Sequence, residues 1–440
     1  MSPREVAIEL DGWRVSLPRA RLWVAGAGKA ARAMARAIGG LLPEVEGVVV
    51  APRPRGRSGA AGGRARRSSR IRVLYGEHPV PGRGSFGASR VLVDALVRQP
   101  ADTSVLVLLS GGASALLAMP AAGIRAGDKA RLNRLMLRAG MPVAEMNAVR
   151  KHVSAVKGGG LLRLAAPRPV ITLALSDVPG DDLATIGSGP TVADPLRRRQ
   201  ARTALLRRVD RAEIPHSVLR RLDRGPETLK PGDPLLRLSR AAIIGSNRTA
   251  LDAAARRARA LGYAVRRDRV LLEGAARQAG ERIAAALPAR VRRPTVFLAG
   301  GETVVDATGA RGRGGRSQEL ALAAVPLLAN GGWTLLAAGT DGIDGATPAA
   351  GAVVDGQTLA RSGAAAVTRA LAEHDSHGFF ARYGGLFVTG PTGTNVMDLV
   401  MALHPGRIAA ERRPSGRDSS RSKPRPTRRP PGRVVRRRGG

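Results

Sequence analysis

Leu22-Trp23-Val24-Ala25-Gly26-Ala27-Gly28-Lys29, followed at once by AARAMARAIGGLL over residues 30–42, decides the fold. A short apolar run closed by a glycine turn that opens onto a helix-like stretch fits a strand covered by helices on both faces, because such a strand has no polar alternate positions. The pattern recurs along the chain. VLVLLSGG (105–112) leads to ASALLAM (113–119), PVITLALSD (169–177) to VPGDD (178–182), AAIIGSN (241–247) to RTALDAAARRARALG (248–262), and TVFLAGGE (295–302) to a glycine-rich turn. TLLAAGTDGIDG (334–345) and LFVTGPTGTN (386–395) complete the set. The reading predicts an α/β protein of two doubly wound domains, with largely parallel sheets and a ligand cleft between them. A Pro- and Arg-rich dip at 216–235 suggests domains over 1–240 and 241–410, with 241–290 assignable to either.

The 440 residues, 43% of them apolar, suffice for two such domains. Cysteine is absent, which excludes disulfides, thiolate zinc sites, cysteine nucleophiles and iron–sulfur clusters. The sequence has no long uninterrupted apolar run and no apolar core of a signal peptide near its start, so a cytoplasmic protein is expected. Lys plus Arg number 72 against 34 Asp plus Glu, a net charge of +38. Much of the excess lies in the Arg-rich segment 52–72 and in the tail 411–440, Pro/Gly/Ser/Arg mixtures that cannot bury enough apolar surface to offset ordering entropy. A disordered loop and a disordered basic tail are therefore expected. Nucleic acid is a conceivable partner of the tail, although aromatics at 2% leave few stacking platforms.

Ligands of doubly wound sheets bind beyond the carboxyl ends of the strands, so the turns there are the places to look. Gly26-Ala27-Gly28-Lys29 opens a helix, where free N–H groups and the helix dipole would hold an anion and the ammonium would add a point charge. It is no P-loop, which needs Gly where Trp23 stands and Ser or Thr where Ala30 stands. It mimics a dinucleotide fingerprint, but VVVAPRPRGR stands where an acidic strand end should follow. Ser110-Gly111-Gly112-Ala113-Ser114 lacks the final glycine of a nucleophile elbow and reads as a backbone nest for an anion.

Asn147, Arg150, Lys151 and Ser154 share one helical face, either solvated or turned toward an anionic ligand. His152 reads as a hydrogen-bonded structural residue. Asp177 and Asp341 end apolar runs, where a carboxylate commonly seats Mg²⁺ bound to phosphates. The stretch from Asp341 is no EF-hand, because Ala352 occupies the twelfth position. Thr392-Gly393-Thr394-Asn395 adds a second nest. One Lys and one Arg in glycine loops, strand-end carboxylates and anion nests together suit phosphoryl transfer, which relies on positioning and charge neutralisation.

The motifs GAGKAARAMA (26–35), GEHPVP (76–81), LVLLSGGASALL (106–117), NAVRKHVSAVKGGGL (147–161), LALSDVPGDDLATIGSGPT (173–191), LKPGD (229–233), GGETVV (300–305), GRGGRSQELAL (312–322), AAGTDGIDG (337–345), AAGAVVD (349–355) and VTGPTGTNVMDL (388–399) resemble, in order, those of the ATP-dependent glycerate 2-kinase family. Its members carry a GCK-type (DUF4147) N-terminal domain and a MOFRL domain, and are often labelled hydroxypyruvate reductases. The resemblance implies ATP- and Mg²⁺-dependent phosphorylation of D-glycerate at its 2-hydroxyl. It makes Lys29 and Arg316 the catalytic residues. By motif position, Gly26, Gly28, Ser110, Gly111, Gly112, Asn147, Arg150, Lys151 and Thr392, Gly393, Thr394 and Asn395 are candidates for substrate or phosphate, and Asp177 and Asp341 for the metal. D-glycerate and ATP are the expected partners, with a homodimer as a further possibility.

The sequence departs from the family pattern at Gly82 and Arg83, at Gly160, and at Ser317, where the family has Asn. The shorter hydroxyl of Ser317 is expected to orient Arg316 less firmly. Two alternatives compete with the kinase reading. One is a hydroxypyruvate reductase; the other is a catalytically impaired member that binds anions or RNA.

Overall fold

The run that decides the fold becomes a fully buried strand at the centre of a six-stranded sheet. In the computed structural model, which describes residues 5–10, 13–18, 21–53, 70–329 and 331–406, the strands are β1 (Glu5–Leu10), β2 (Trp13–Pro18), β3 (Leu22–Ala27), β4 (Glu46–Pro52), β5 (Arg70–Gly76), β6 (Ser104–Leu109), β7 (Val170–Leu175), β8 (Ser239–Gly245), β9 (Ala264–Arg267), β10 (Thr295–Gly301), β11 (Thr334–Gly339), β12 (Gly351–Asp355), β13 (Leu386–Phe387) and β14 (Asp398–His404). The first large sheet runs β5-β4-β3-β6-β7-β8, every pair parallel. Its order reverses between β3 and β6, so the chain leaves these two neighbours toward opposite sides. That opens a crevice at their carboxyl ends. The register Ala27↔Leu109 brings the turns after the two strands face to face.

Helices clothe both faces. Arg83–Val97 and Gly160–Ala165 pack over one, where Leu92, Leu96, Leu161 and Leu162 meet Val105, Val107 and Leu109. Ala31–Leu41 covers the other through Ala31 and Ala35. The antiparallel ribbon β1–β2 joins that second layer through Leu17, Ile8 and Val15. Helices Ala126–Arg138, Val143–His152, Arg198–Leu206 and His216–Arg224 share a separate apolar cluster.

The second large sheet runs β13-β12-β11-β14-β10-β9. The expected α/β class and the two sheets hold, but the largely parallel pairing holds only for the first. In the second only β9–β10 is parallel, because β14 inserts antiparallel to both β10 and β11. An apolar run signals burial and carries no mark of direction, which is set by the connection between strands. Helices Ala276–Ala286 and Arg316–Leu328 pack on this sheet around Ile283, Leu320, Val325 and Leu335.

β8 spans the expected division at residue 240 and pairs with β7, while the next helix, Asn247–Ala260, packs on β10 through Ala255 and Ala258. The change of sheet thus falls at Gly245–Asn247. The Arg-rich segment expected as a loop over 52–72 is shorter at both ends: Pro52 closes β4 and Arg70–Arg72 open β5. Residues 54–69 and the tail 411–440 lie outside the described residues.

Candidate functional site

The two glycine turns at the β3/β6 crevice are built into one another. Gly28 adopts φ +138°, and a side chain there would start 2.1 Å from Ser110 Oγ. Gly26 also serves packing, since a Cβ would lie 2.7 Å from Leu108 O of the adjacent strand. The amide of Lys29 donates to Gly111 O at 2.7 Å and that of Ala30 to Ser110 Oγ at 3.0 Å. The expected free N–H groups of the first turn are therefore spent on the second, and what this turn presents is the Lys29 ammonium. The amides of Gly111 and Gly112, by contrast, meet no protein acceptor among the described residues. They form the expected nest, with Gly112 in the left-handed region at φ +80°.

Lys29 reaches across to the second half of the chain. Its Nζ donates to Asp341 Oδ2 at 2.9 Å, and Asp341 Oδ1 accepts from the Ile343 amide at 3.1 Å. Asp341, expected as a metal ligand, thus holds the Lys29 ammonium with one oxygen and the Ile343 amide with the other. Asp177 lies against Gly111, where a Cβ would fall 1.8 Å from Oδ2. That oxygen accepts from Asn395 Nδ2 at 2.8 Å. The Thr392–Asn395 loop is fastened by its own side chain, Thr392 Oγ1 donating to Thr340 O at 2.6 Å. Burial first, and then the charge of Glu302, raises the Asp177 carboxyl to about 6, with Lys29 opposing. Lys29 and Glu302 therefore both lie within electrostatic reach of Asp177.

Arg316 opens the helix Arg316–Leu328 and is gripped from two sides. Its Nε and one terminal nitrogen donate to the two oxygens of Asp398 at 2.6 and 3.0 Å, and the other terminal nitrogen donates to Glu302 Oε1. Burial works against the guanidinium's charge, but the Asp398 and Glu302 carboxylates outweigh it and raise its pKa. Asp344 caps the same helix by accepting from the amides of Ser317 and Gln318 at 3.0 and 2.8 Å. Glu302, Asp344 and Asp398 were not singled out as site residues from sequence. Each stands in a quoted motif, but only the fold brings them to Arg316.

The departures from the family pattern now have local explanations. Ser317 Oγ is buried and makes no hydrogen bond, while Arg316 is oriented without it, so the expected weakness at this position does not arise. At Gly82 a Cβ would meet the Glu77 side chain at 2.8 Å. The Glu77 carboxylate caps the helix Arg83–Val97 through the amides of Gly84 and Ser85. At Gly160 a Cβ would lie 2.3 Å from Ala155 O, so the backbone here is shaped to glycine.

The helix Val143–His152 splits its candidates. Lys151 turns inward to Asp194 Oδ1 at 3.1 Å, and Asp194 Oδ2 accepts from Thr228 Oγ1 at 2.8 Å, so Lys151 belongs to a buried ion pair. His152 is buried between Ala148 O and Glu227, as a structural histidine should be. Asn147 Oδ1 accepts from Ser188 Oγ at 3.5 Å, and Ser188 Oγ lies 2.7 Å from Ser114 Oγ. Asn147 therefore borders the second glycine turn.

No three His, Asp or Glu side chains converge for a metal among the described residues. The excess negative charge at Asp177 and Glu302 nonetheless fits a hard divalent cation that takes one or two carboxylates and draws its other ligands from phosphates and water. A cleft of about 670 Å³ lined by Arg259, Arg266, Arg290, Arg292 and Arg293 sits at the opposite ends of β9 and β10 from this site.

Residues 4–223 match the domain of unknown function DUF4147, and residues 295–398 match the MOFRL family. A glycerate 2-kinase of Pyrococcus horikoshii is 36% identical, the match covering 88% of each chain. A protein of Agrobacterium vitis, provisionally named a hydroxypyruvate reductase, is 40% identical over 87% of each. The crystal structure of glycerate kinase from Thermotoga maritima matches with a TM-score of 0.76 and 34% identity, covering 87% of this chain and 91% of that one.

Proposed function

The chain belongs to the glycerate 2-kinase family that joins a DUF4147 domain to a MOFRL domain, and on that premise we propose that it transfers the γ-phosphoryl group of ATP to the 2-hydroxyl of D-glycerate. The products are 2-phosphoglycerate, ADP and the proton that the 2-hydroxyl releases. One observation carries the reading: Lys29 and Arg316, brought from different sheets, face a shared group of carboxylates around Asp177, beside the unbonded amides of Gly111 and Gly112. The acceptor hydroxyl attacks the γ-phosphorus while the bond to the β-phosphate oxygen breaks. In so loose a transition state, charge neutralisation counts for more than a strong base.

In this assignment Lys29 and Arg316 neutralise the transferring group, and the Gly111–Gly112 amides hold a phosphate oxygen. Asp341 and Asp398 are positioning residues that fix the two cations. Asp177, with Glu302 nearby, would hold Mg²⁺, which when bound shields the phosphate charges. Thr392 to Asn395 close the site over Asp177. No helix among the described residues is long and apolar enough to cross a membrane, and a cytoplasmic setting, where ATP is at hand, suits this activity.

The test is purified protein with D-glycerate, ATP and Mg²⁺, coupled separately to detection of 2- and 3-phosphoglycerate. A parallel arm supplies hydroxypyruvate and a reduced nicotinamide cofactor. The expected result is 2-phosphoglycerate alone. Formation of 3-phosphoglycerate would overturn the position of attack, and reduction of hydroxypyruvate without kinase activity would overturn the reading.

A further inference from the structure

Three basic side chains lie around the Ser110–Ser114 turn without an acid to balance them. Lys129 and Lys157 are each only 2% exposed. Lys157 donates from Nζ to Ser114 O at 2.9 Å and Gly187 O at 3.4 Å, and Lys129 donates to Met119 O at 3.2 Å. Arg150 donates through Nε to Asn133 Oδ1 at 3.2 Å, and its two terminal nitrogens meet no protein acceptor among the described residues. None of the three has a carboxylate within ion-pair distance there, whereas adjacent Lys151 has Asp194.

Buried charges are ordinarily paired, because taking an ion out of water is costly and a second ion of the same sign adds to the cost. Here burial, and then neighbouring positive charge, pushes Lys129 down to about 7 and holds Lys157 well below the usual lysine range. No carboxylate among the described residues is paired with these three groups, so an anion supplied from outside would find the Arg150 guanidinium free and would favour the charged form of both lysines. Polar groups connect this cluster to the glycine turn. Asn147 and Arg150 stand one turn apart on the same helix, and Asn147 connects through Ser188 to Ser114, which directly follows the Gly111–Gly112 amides. Ser188 holds φ +64°, a left-handed conformation unusual for a serine.

We infer that this pocket binds the carboxylate of the acceptor, held by the Arg150 guanidinium with Asn147 and Ser114 at its mouth and Lys157 and Lys129 behind it. The inference rests on the glycerate kinase reading. Phosphate oxygens already have Lys29, Arg316 and the glycine amides, whereas a free guanidinium fork matches a carboxylate in both shape and charge. In a 2-hydroxy acid the reacting hydroxyl is one carbon from the carboxylate. Anchoring the acid group beside Ser114 therefore leaves the hydroxyl on the Gly112–Lys29 side. A neutral polyol would leave the cations unbalanced, so the pocket also selects acids over uncharged alcohols.

The decisive variant is Arg150→Gln, read by steady-state kinetics and by calorimetric titration of D-glycerate alone. KM for D-glycerate should rise at least about tenfold, the scale of a lost charged hydrogen bond, while KM for ATP stays within about twofold. The preference of the wild type for D-glycerate over its neutral amide should shrink by a similar factor. A purely structural role would not move that preference. Arg150→Lys, which keeps a point charge without the fork, should fall between the two and serves if the Gln variant does not fold. An unchanged KM for D-glycerate overturns the inference, and a rise confined to the KM for ATP overturns it by showing a phosphate site. Wild-type protein that binds D-glycerate without phosphorylating it would refute the kinase activity while leaving this pocket standing.

Discussion

Among the described residues Lys29 is paired with one carboxylate, Asp341, whereas Arg316 is held by Asp398 and Glu302 together, and substitution should expose the difference. Both Lys29→Ala and Arg316→Ala are expected to lower turnover at least about a hundredfold, as loss of one positioned charge at a developing anion does. Only Arg316→Ala should also lower the melting temperature, because it leaves two carboxylates uncompensated. Near-normal turnover in a folded variant would remove that residue from the mechanism. Ser317 gives the opposite case. Its unbonded hydroxyl costs about 1–3 kcal/mol of desolvation, so Ser317→Ala should leave turnover unchanged and hold or raise the melting temperature. Ser317→Asn should bring no gain. Asp177 adds a pH signature. Its folded carboxyl titrates near 6 against a usual 3.8, so between those values the native state binds the more protons. The group therefore costs stability as pH rises through that window, and Asp177→Asn should gain on the wild type in thermal melts from about pH 4 to above 6. A constant difference across the window would refute the shift. Lys29 and Arg316 were singled out because they stand in glycine turns and at the positions that the family resemblance makes catalytic. Glu302, Asp344 and Asp398 were not, because their partners are set by the fold.

At the scale of elements, the crossing of the turns after β3 and β6 is what aims Lys29. Gly28→Ala places a Cβ 2.1 Å from Ser110 Oγ and 2.5 Å from Ser110 O, at a φ that L side chains rarely adopt. The backbone O cannot swing aside as a side chain can. We expect a loss of about 1–3 kcal/mol or more in denaturant unfolding and a parallel loss of turnover, since Lys29 takes its direction from this turn. Wild-type stability would mean that the two turns are looser than their hydrogen bonds indicate. Four of the first sheet's strands, β3, β6, β7 and β8, were readable as apolar runs ending in glycine or polar turns. Three other features were not. In the β1–β2 ribbon the apolar run is only Val6–Ile8 and β2 alternates instead of running apolar, β9 has two arginines in four residues, and β14 follows the Thr392–Asn395 loop so closely that its separate identity and reversed direction are invisible in a hydrophobic pattern.

Across the whole molecule, the two sheets meet through a few polar ties. Lys29 with Asp341 and Asp177 with Asn395 are two of them, and Asn247, just past the end of β8, donates to Val396 O and Asp398 O at 3.0 and 2.9 Å. All three ties lie at the carboxyl edge of the first sheet, so the turns that the sequence singled out come together there, while the carboxylates they meet are set by the fold. Every residue assigned a role lies between Lys29 and Asp398. The Arg-rich tail shares in the chain's +38 charge without contributing any of them. Ending the chain after residue 410 is therefore expected to leave melting temperature and glycerate phosphorylation nearly unchanged. Its effect should appear in polyanion binding. Binding of a homopolymer RNA should weaken, and the slope of log affinity against log salt should become shallower as phosphate contacts are lost. The Arg259–Arg293 cleft remains in the shortened chain and should keep a residual, salt-sensitive affinity. Loss of several degrees in melting temperature on truncation would show instead that the tail docks on the folded part. In that case its charge would belong to the enzyme's structure and not to its surroundings.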